Sequence, residues 1–160
     1  MRFGGSTGED IRFRQIMKEV DEGPITNDDV LSNDAELFFT VQPNHKYMVI
    51  MSLHINTGST PDLKYSFSIP SGVAGDNVMC DGGDFWTAGN TGAVPQPISG
   101  NFVWPVSNLL DMINFNIGFL RIGATGGTVF LQWAQDVSNG APTSMLQNSS
   151  LFIIDMGPIP

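Results

Sequence analysis

Along this chain apolar and polar residues alternate with a period of two over stretch after stretch. In "KYMVIMSLHI" Tyr47, Val49, Met51, Leu53 and Ile55 share one parity, and in "DLKYSFSIP" Leu63, Tyr65, Phe67 and Ile69 alternate with Lys64, Ser66 and Ser68. "MINFNIGFLRI" sets Ile113, Phe115, Ile117 and Phe119 against Asn114, Asn116 and Gly118, while "TVFLQWAQ" aligns Val129, Leu131 and Trp133. A strand sends successive side chains to opposite faces, so this period predicts half-buried antiparallel strands. "ELFFTVQ" (36–42) and "SLFIIDM" (150–156) are further strands, with weaker ones near 77–80 and 98–104. Turn clusters separate them: "QPNH", "NTGSTPD", "PSGVAGD", "DGGD" and "SNGAPT". About eight short strands joined by such turns predict an all-β fold, an antiparallel β-sandwich of jelly-roll type.

The first 23 residues carry two competing patterns. In "STGEDIRFRQIMKEVDEG" Ser6 and Glu9 have capping-box spacing, and Phe13, Ile16, Met17 and Val20 recur at helical intervals. "IRFR" within it alternates as a strand. The chain is therefore divided into an N-terminal arm, 1–23, and a sandwich domain, 24–160. Met48, Ile50 and Phe130 lie on the parity opposite the core sets, so as apolar residues on outer strand faces they mark an expected oligomer interface.

Glycines 126 and 127 sit in "RIGATGGTVFLQWAQ". A phosphate-binding glycine loop opens a helix, whose N-terminus supplies the N–H donors. Here a β-branched, alternating strand follows, so the glycines are expected to give positive φ to a tight hairpin turn.

Composition narrows the classes. Apolar residues are 41% and charged residues 14%, with 18 Gly and 10 Pro, the profile of a folded, turn-rich domain with a thin charged surface. The net charge of −9 opposes nucleic-acid binding, which needs a basic footprint. Its distribution is uneven. Residues 1–18 hold four cations, Arg2, Arg12, Arg14 and Lys18, against Glu9 and Asp10, whereas the rest of the chain holds three against fourteen carboxylates. Cys80 is the single cysteine, which excludes an internal disulfide, and no apolar run approaches a membrane span or a secretory h-region.

Candidate chemistry is sparse. His45 and His54 are nine residues apart on one strand and point to opposite faces, so they make no metal pair there. Asp76, Asp81 and Asp84 lack the order of an EF-hand loop. No "GxSxG" motif occurs. The expectation is a protein that is not an enzyme and needs no cofactor.

The segments "LSNDAELFFTVQPNHKYMVIMSLHINTGSTPDLKYSFSIPSG" and "GFLRIGATGGTVFLQWAQDVSNGAPTSMLQNSSLFI" resemble a group of small tailed-bacteriophage virion proteins. That group carries, in this order, an "ND-x-EL" strand, an "N-x-x-Y" strand start, a "T-T-x-D-x-K" turn and a "TGGTV-x-LQWAQ … T … SSL" ending. The likeness covers roughly two-thirds of the chain, leaving out residues 1–12 and the loop 76–108. It implies a jelly-roll assembly protein, a homotrimer that decorates or cements the capsid, with the major capsid protein as partner and no membrane partner. It also implies an extended rather than helical arm, and a place on the capsid surface of virions assembled in the bacterial host cytoplasm. On this reading Arg2, Phe3, Ile11, Arg12, Phe13, Arg14 and Lys18 of the arm contact the capsid. The alternative is a receptor- or carbohydrate-binding domain of a tail fibre, in which Asp81, Asp84 and Trp86 of a surface loop meet a sugar.

Overall fold

The structure, a computed structural model, describes residues 3–4, 10–57, 63–70, 78–81, 96–97, 102–104 and 112–159, with side chains over 12–57, 63–70 and 117–159. Among the described residues every regular element is a strand: β1 (Phe3–Gly4), β2 (Asp10–Met17), β3 (Glu22–Ile25), β4 (Ser32–Val41), β5 (His45–Thr57), β6 (Leu63–Ser68), β7 (Val78–Asp81), β8 (Gln96–Pro97), β9 (Phe102–Trp104), β10 (Met112–Arg121), β11 (Gly127–Gln135), β12 (Thr143–Met145) and β13 (Ser150–Pro158). They form two antiparallel sheets. The larger runs β1-β2-β13-β5-β10-β7-β8, with β12 and β3 continuing the β13 and β2 lanes toward the far end of β5. The smaller runs β4-β11-β6-β9.

The core lies between the sheets and follows the alternation. Tyr47, Val49, Met51, Leu53 and Ile55 of β5 meet Leu37, Phe39 and Val41 of β4, Leu63, Tyr65 and Phe67 of β6, and Val129, Leu131 and Trp133 of β11. Each fully buried aliphatic side chain contributes about 1.5–3 kcal/mol relative to exposure. The sandwich is therefore held chiefly by these parities. Gln135, fully buried, ties the loops at one end. Its Oε1 accepts from Asn139 N at 3.0 Å and its Nε2 donates to Ala141 O at 2.7 Å.

Residues 10–17 are an extended strand of the larger sheet: β2 is hydrogen-bonded along β13, from Ser150↔Met17 to Asp155↔Arg12. The lane beside β13 rewards an extended segment with a ladder of backbone hydrogen bonds, which outweighs the helical spacing of Phe13, Ile16, Met17 and Val20.

The glycine knot is not a hairpin. β10 pairs with β5 and β7 in the larger sheet, whereas β11 pairs with β4 and β6 in the smaller one, so residues 122–126 carry the chain across the sandwich. A second crossover, 42–44, packs beside it, with Asn44 N donating to Gly123 O at 2.7 Å and Ile122 N to His45 O at 2.8 Å. Nor do Gly126 and Gly127 have positive φ; among the described glycines Gly23 and Gly157 do. Their requirement is closeness. A Cβ on Gly126 would stand 2.6 Å from Val41 O and 2.9 Å from Pro43 Cδ, and one on Gly127 2.9 Å from Pro70 Cγ.

Of the apolar set of β10, the described side chains, Ile117 and Phe119, face away from the core. Phe119 is 44% exposed and Ile117 half-buried, while Leu120 and Ile122 go inside. Directly opposed residues share a face, and the register pairs Ile117 with Ile50 and Phe119 with Met48, both on the outer parity of β5.

Candidate functional site

Cross-strand register assembles an apolar wall on the outer face of the larger sheet. One row runs Phe13–Ile154–Met48–Phe119 and the next Phe152–Ile50–Ile117, each step a pair of opposed residues on neighbouring strands. Phe13 and Phe152 pack at 5.7 Å between ring centroids. Phe13 is 53% exposed and Met17, farther along the same parity of β2, 50%. Each phenyl at the ends of the first row leaves about 100 Å² of apolar surface open. Between them Ile154, Met48, Phe152, Ile50 and Ile117 are half-buried, so the wall is a contiguous, partly open apolar surface of the kind that is often functional.

Met48 and Ile50, expected at an oligomer interface, stand at the centre of this wall. Phe130 does not join them. It lies on the outer face of the smaller sheet, opposite Phe38, at 5.4 Å between ring centroids. Ile117 and Phe119 were grouped on one apolar face by their alternation but not assigned to an interface, and Phe152 and Ile154 were not singled out from the sequence. "SLFIIDM" did carry a signal, because apolar residues of both parities in one strand mark a strand with two apolar faces.

Of the seven expected arm contacts, Arg12, Phe13 and Arg14 have exposed side chains. Phe3 and Ile11 lie in β1 and β2, where only the strand is described, and Arg2 lies outside the described residues. Lys18 is corrected. It is 1% exposed, with Nζ 2.6 Å from Glu22 Oε2, 3.0 and 3.1 Å from the two oxygens of Asp34, and 3.5 Å from Glu36 Oε2. Burial alone pushes its pKa down, but hydrogen bonds and attraction from Glu22 and Asp34 win, and the pKa is raised from 10.5. Asp34 also accepts from Glu36 N and Leu37 N, both at 2.9 Å. The lysine thus clamps the chain between β2 and β3 onto β4 of the other sheet, and it is not free to meet a partner.

A cleft of about 310 Å³ opens between β2 and the end of β4, with Arg12, Arg14, Tyr47 and Asp155 among its walls. Arg14 Nη2 donates to Thr40 O at 3.2 Å. Asp155 Oδ1 lies 2.9 Å from His45 Nδ1 and accepts from Gly157 N at 3.0 Å. His54 lies on the opposite parity of β5 from His45, next to Ser149, whose Oγ accepts from His54 N at 2.9 Å. Among the described residues no group of three or more His, Cys, Asp or Glu side chains is placed to hold a metal ion. Asp84 and Trp86 of the expected surface loop lie outside the described residues, and Asp81 is described only as the end of β7.

No protein-family model matches this sequence, and no curated protein matches it.

Proposed function

We propose that this chain is a structural protein of a tailed-bacteriophage virion, a jelly-roll-like sandwich that decorates or cements the capsid as a homotrimer seated on the major capsid protein. Its work is interface burial rather than chemistry. A shell under pressure from packaged DNA gains stability when a small oligomer bridges neighbouring capsomers, because each bridge adds buried area that must be exposed before they separate. The observation that carries the reading is the apolar wall. The larger sheet spends its inner face on the core and still presents Phe13, Ile154, Met48 and Phe119 in a row outside. A contiguous apolar sheet face of that kind marks an interaction site, and copies of the chain sharing it would bury it. The resemblance to small virion proteins supplies the setting.

Two measurements test it. Sedimentation should give three times the 17.3 kDa of one chain. Capsids lacking the subunit should carry the protein down on co-sedimentation. A monodisperse monomer at micromolar concentration sinks the oligomer, and retention on bacterial envelope glycans without capsid binding moves the protein to a fibre tip.

A further inference from the structure

We propose that the cleft between β2 and β4 is a carboxylate-binding site, and that its occupant is an acidic, extended segment of the protein on which this chain docks. Ile16 packs against the core, and Arg14 and Arg12 share its parity on β2, so both guanidinium groups belong to the mouth between the sheets. Arg14 is anchored by its bond to Thr40 O on the opposite sheet. The Arg12 guanidinium makes no hydrogen bond to another described residue, and its directly opposed neighbour on β13 is Asp155.

The donors outnumber the acceptors. Tyr47 Oη accepts from Gln42 N at 2.8 Å, which leaves its own hydroxyl proton to donate. Burial raises the Tyr47 pKa above 10.0, so the phenol keeps that proton at neutral pH. The one carboxylate in the walls, Asp155, is already engaged by His45 and Gly157 N. Two guanidinium forks, a phenol O–H and the apolar side of Ile153 fit a carboxylate on a short apolar stem. Phosphate polyanions fit less well. Nucleic acid carries a long, regular run of negative charge that needs a basic footprint larger than two guanidinium groups, and a chain of net charge −9 offers none.

The choice of an extended protein segment comes from the strand beside the cleft. β2 pairs with β13 on one edge, and on the other β1 reaches only Asp10 and Ile11. From Arg12 to Met17 the far edge of β2 has no strand partner among the described residues. A segment added there would place alternate side chains beside Arg12 and Arg14, and the intervening ones beside exposed Phe13 and Met17. The recognised pattern is carboxylates at i and i+2 with apolar residues between them.

This deepens the attachment reading above and rests on it for the identity of the docked surface, but it is tested on the isolated protein. The probe is a fluorescein-labelled peptide of alternating Asp and Val, followed by anisotropy, with an Asn-Val peptide and free succinate as comparison arms. The Asp peptide should bind at least about tenfold more tightly than either, and Arg12→Gln with Arg14→Gln should weaken it about tenfold or more. Arg12→Lys with Arg14→Lys keeps the charge and loses the fork. It should recover only part of the binding, and a thermal melt shows that each variant is folded. Equal binding of the Asp and Asn peptides, unchanged binding by the folded Gln variant, or no peptide binding at all overturns the site. Succinate binding as tightly as the peptide overturns the segment as occupant. Capsid binding by a wild-type protein that ignores the peptide leaves decoration standing without this cleft, and the converse result removes decoration alone.

Discussion

Replacing Lys18 by Met separates a buried clamp from a surface lysine. Lys18 is 1% exposed and Asp34 0%, whereas Glu22 and Glu36 keep 29% and 27% of their side-chain surface in water. Met retains most of the aliphatic stem, so the cost comes mainly from the lost ammonium, not from a cavity. Removing one partner of a buried ion pair costs about 3–5 kcal/mol, because the remaining charge is left uncompensated. Asp34 would still accept from Glu36 N and Leu37 N, and Glu22 can reach solvent. That places the expectation near the lower end, about 3 kcal/mol, or a fall of about 6–12 °C in Tm for a chain of this size. Urea unfolding followed by the fluorescence of Trp133, buried at 2%, together with calorimetry, measures both. Adding Asp34→Asn to Lys18→Met should recover part of the loss, with a coupling of about 1 kcal/mol or more in the double-mutant cycle. A Lys18→Met protein within about 0.5 kcal/mol of wild type, the behaviour of an exposed side chain, would refute the clamp.

The same lysine sets an alkaline response. Its folded pKa lies above 10.5, so its contribution is complete below that pH and disappears as pH rises through the folded value. Tyr47, raised above 10.0, weakens the fold in the same direction once the unfolded phenol ionises. Urea midpoints should therefore fall from about pH 10 upward, and less steeply in Lys18→Met; identical slopes count against the assignment. Phe119→Ser with Phe13→Ser should shift the oligomer toward monomer in sedimentation while leaving the monomer folded, since both residues are about half exposed; an unchanged oligomer places the interface elsewhere. Gly126→Ala should cost about 1–3 kcal/mol in unfolding experiments, because its Cβ meets a backbone carbonyl rather than a movable side chain. A neutral result there would mean that the 122–126 and 42–44 crossovers separate easily.

The period-two pattern by itself determined that this is an all-β chain and which residues travel together on β4, β5, β6, β11 and β13. Alternation is a local property, fixed by backbone geometry. It says that Ile117 and Phe119 share a face, but not which face is inward; that is decided by the pairing of β10 with β5, where Met48 and Ile50 were already committed outward. The apolar wall was half visible, through Met48 and Ile50. Its completion by Phe152 and Ile154 depended on β13 lying on the other edge of β5. Charge counting found a basic stretch in residues 1–18 and could not divide it. Lys18 is buried because Asp34, sixteen residues later, comes to it from the other sheet, whereas Arg12 and Arg14 open into a cleft. The glycines of the knot were read correctly as a connection preceding a strand and incorrectly as a hairpin. Whether two successive strands pair or part depends on the better partners each finds across the fold, and those partners are distant in sequence.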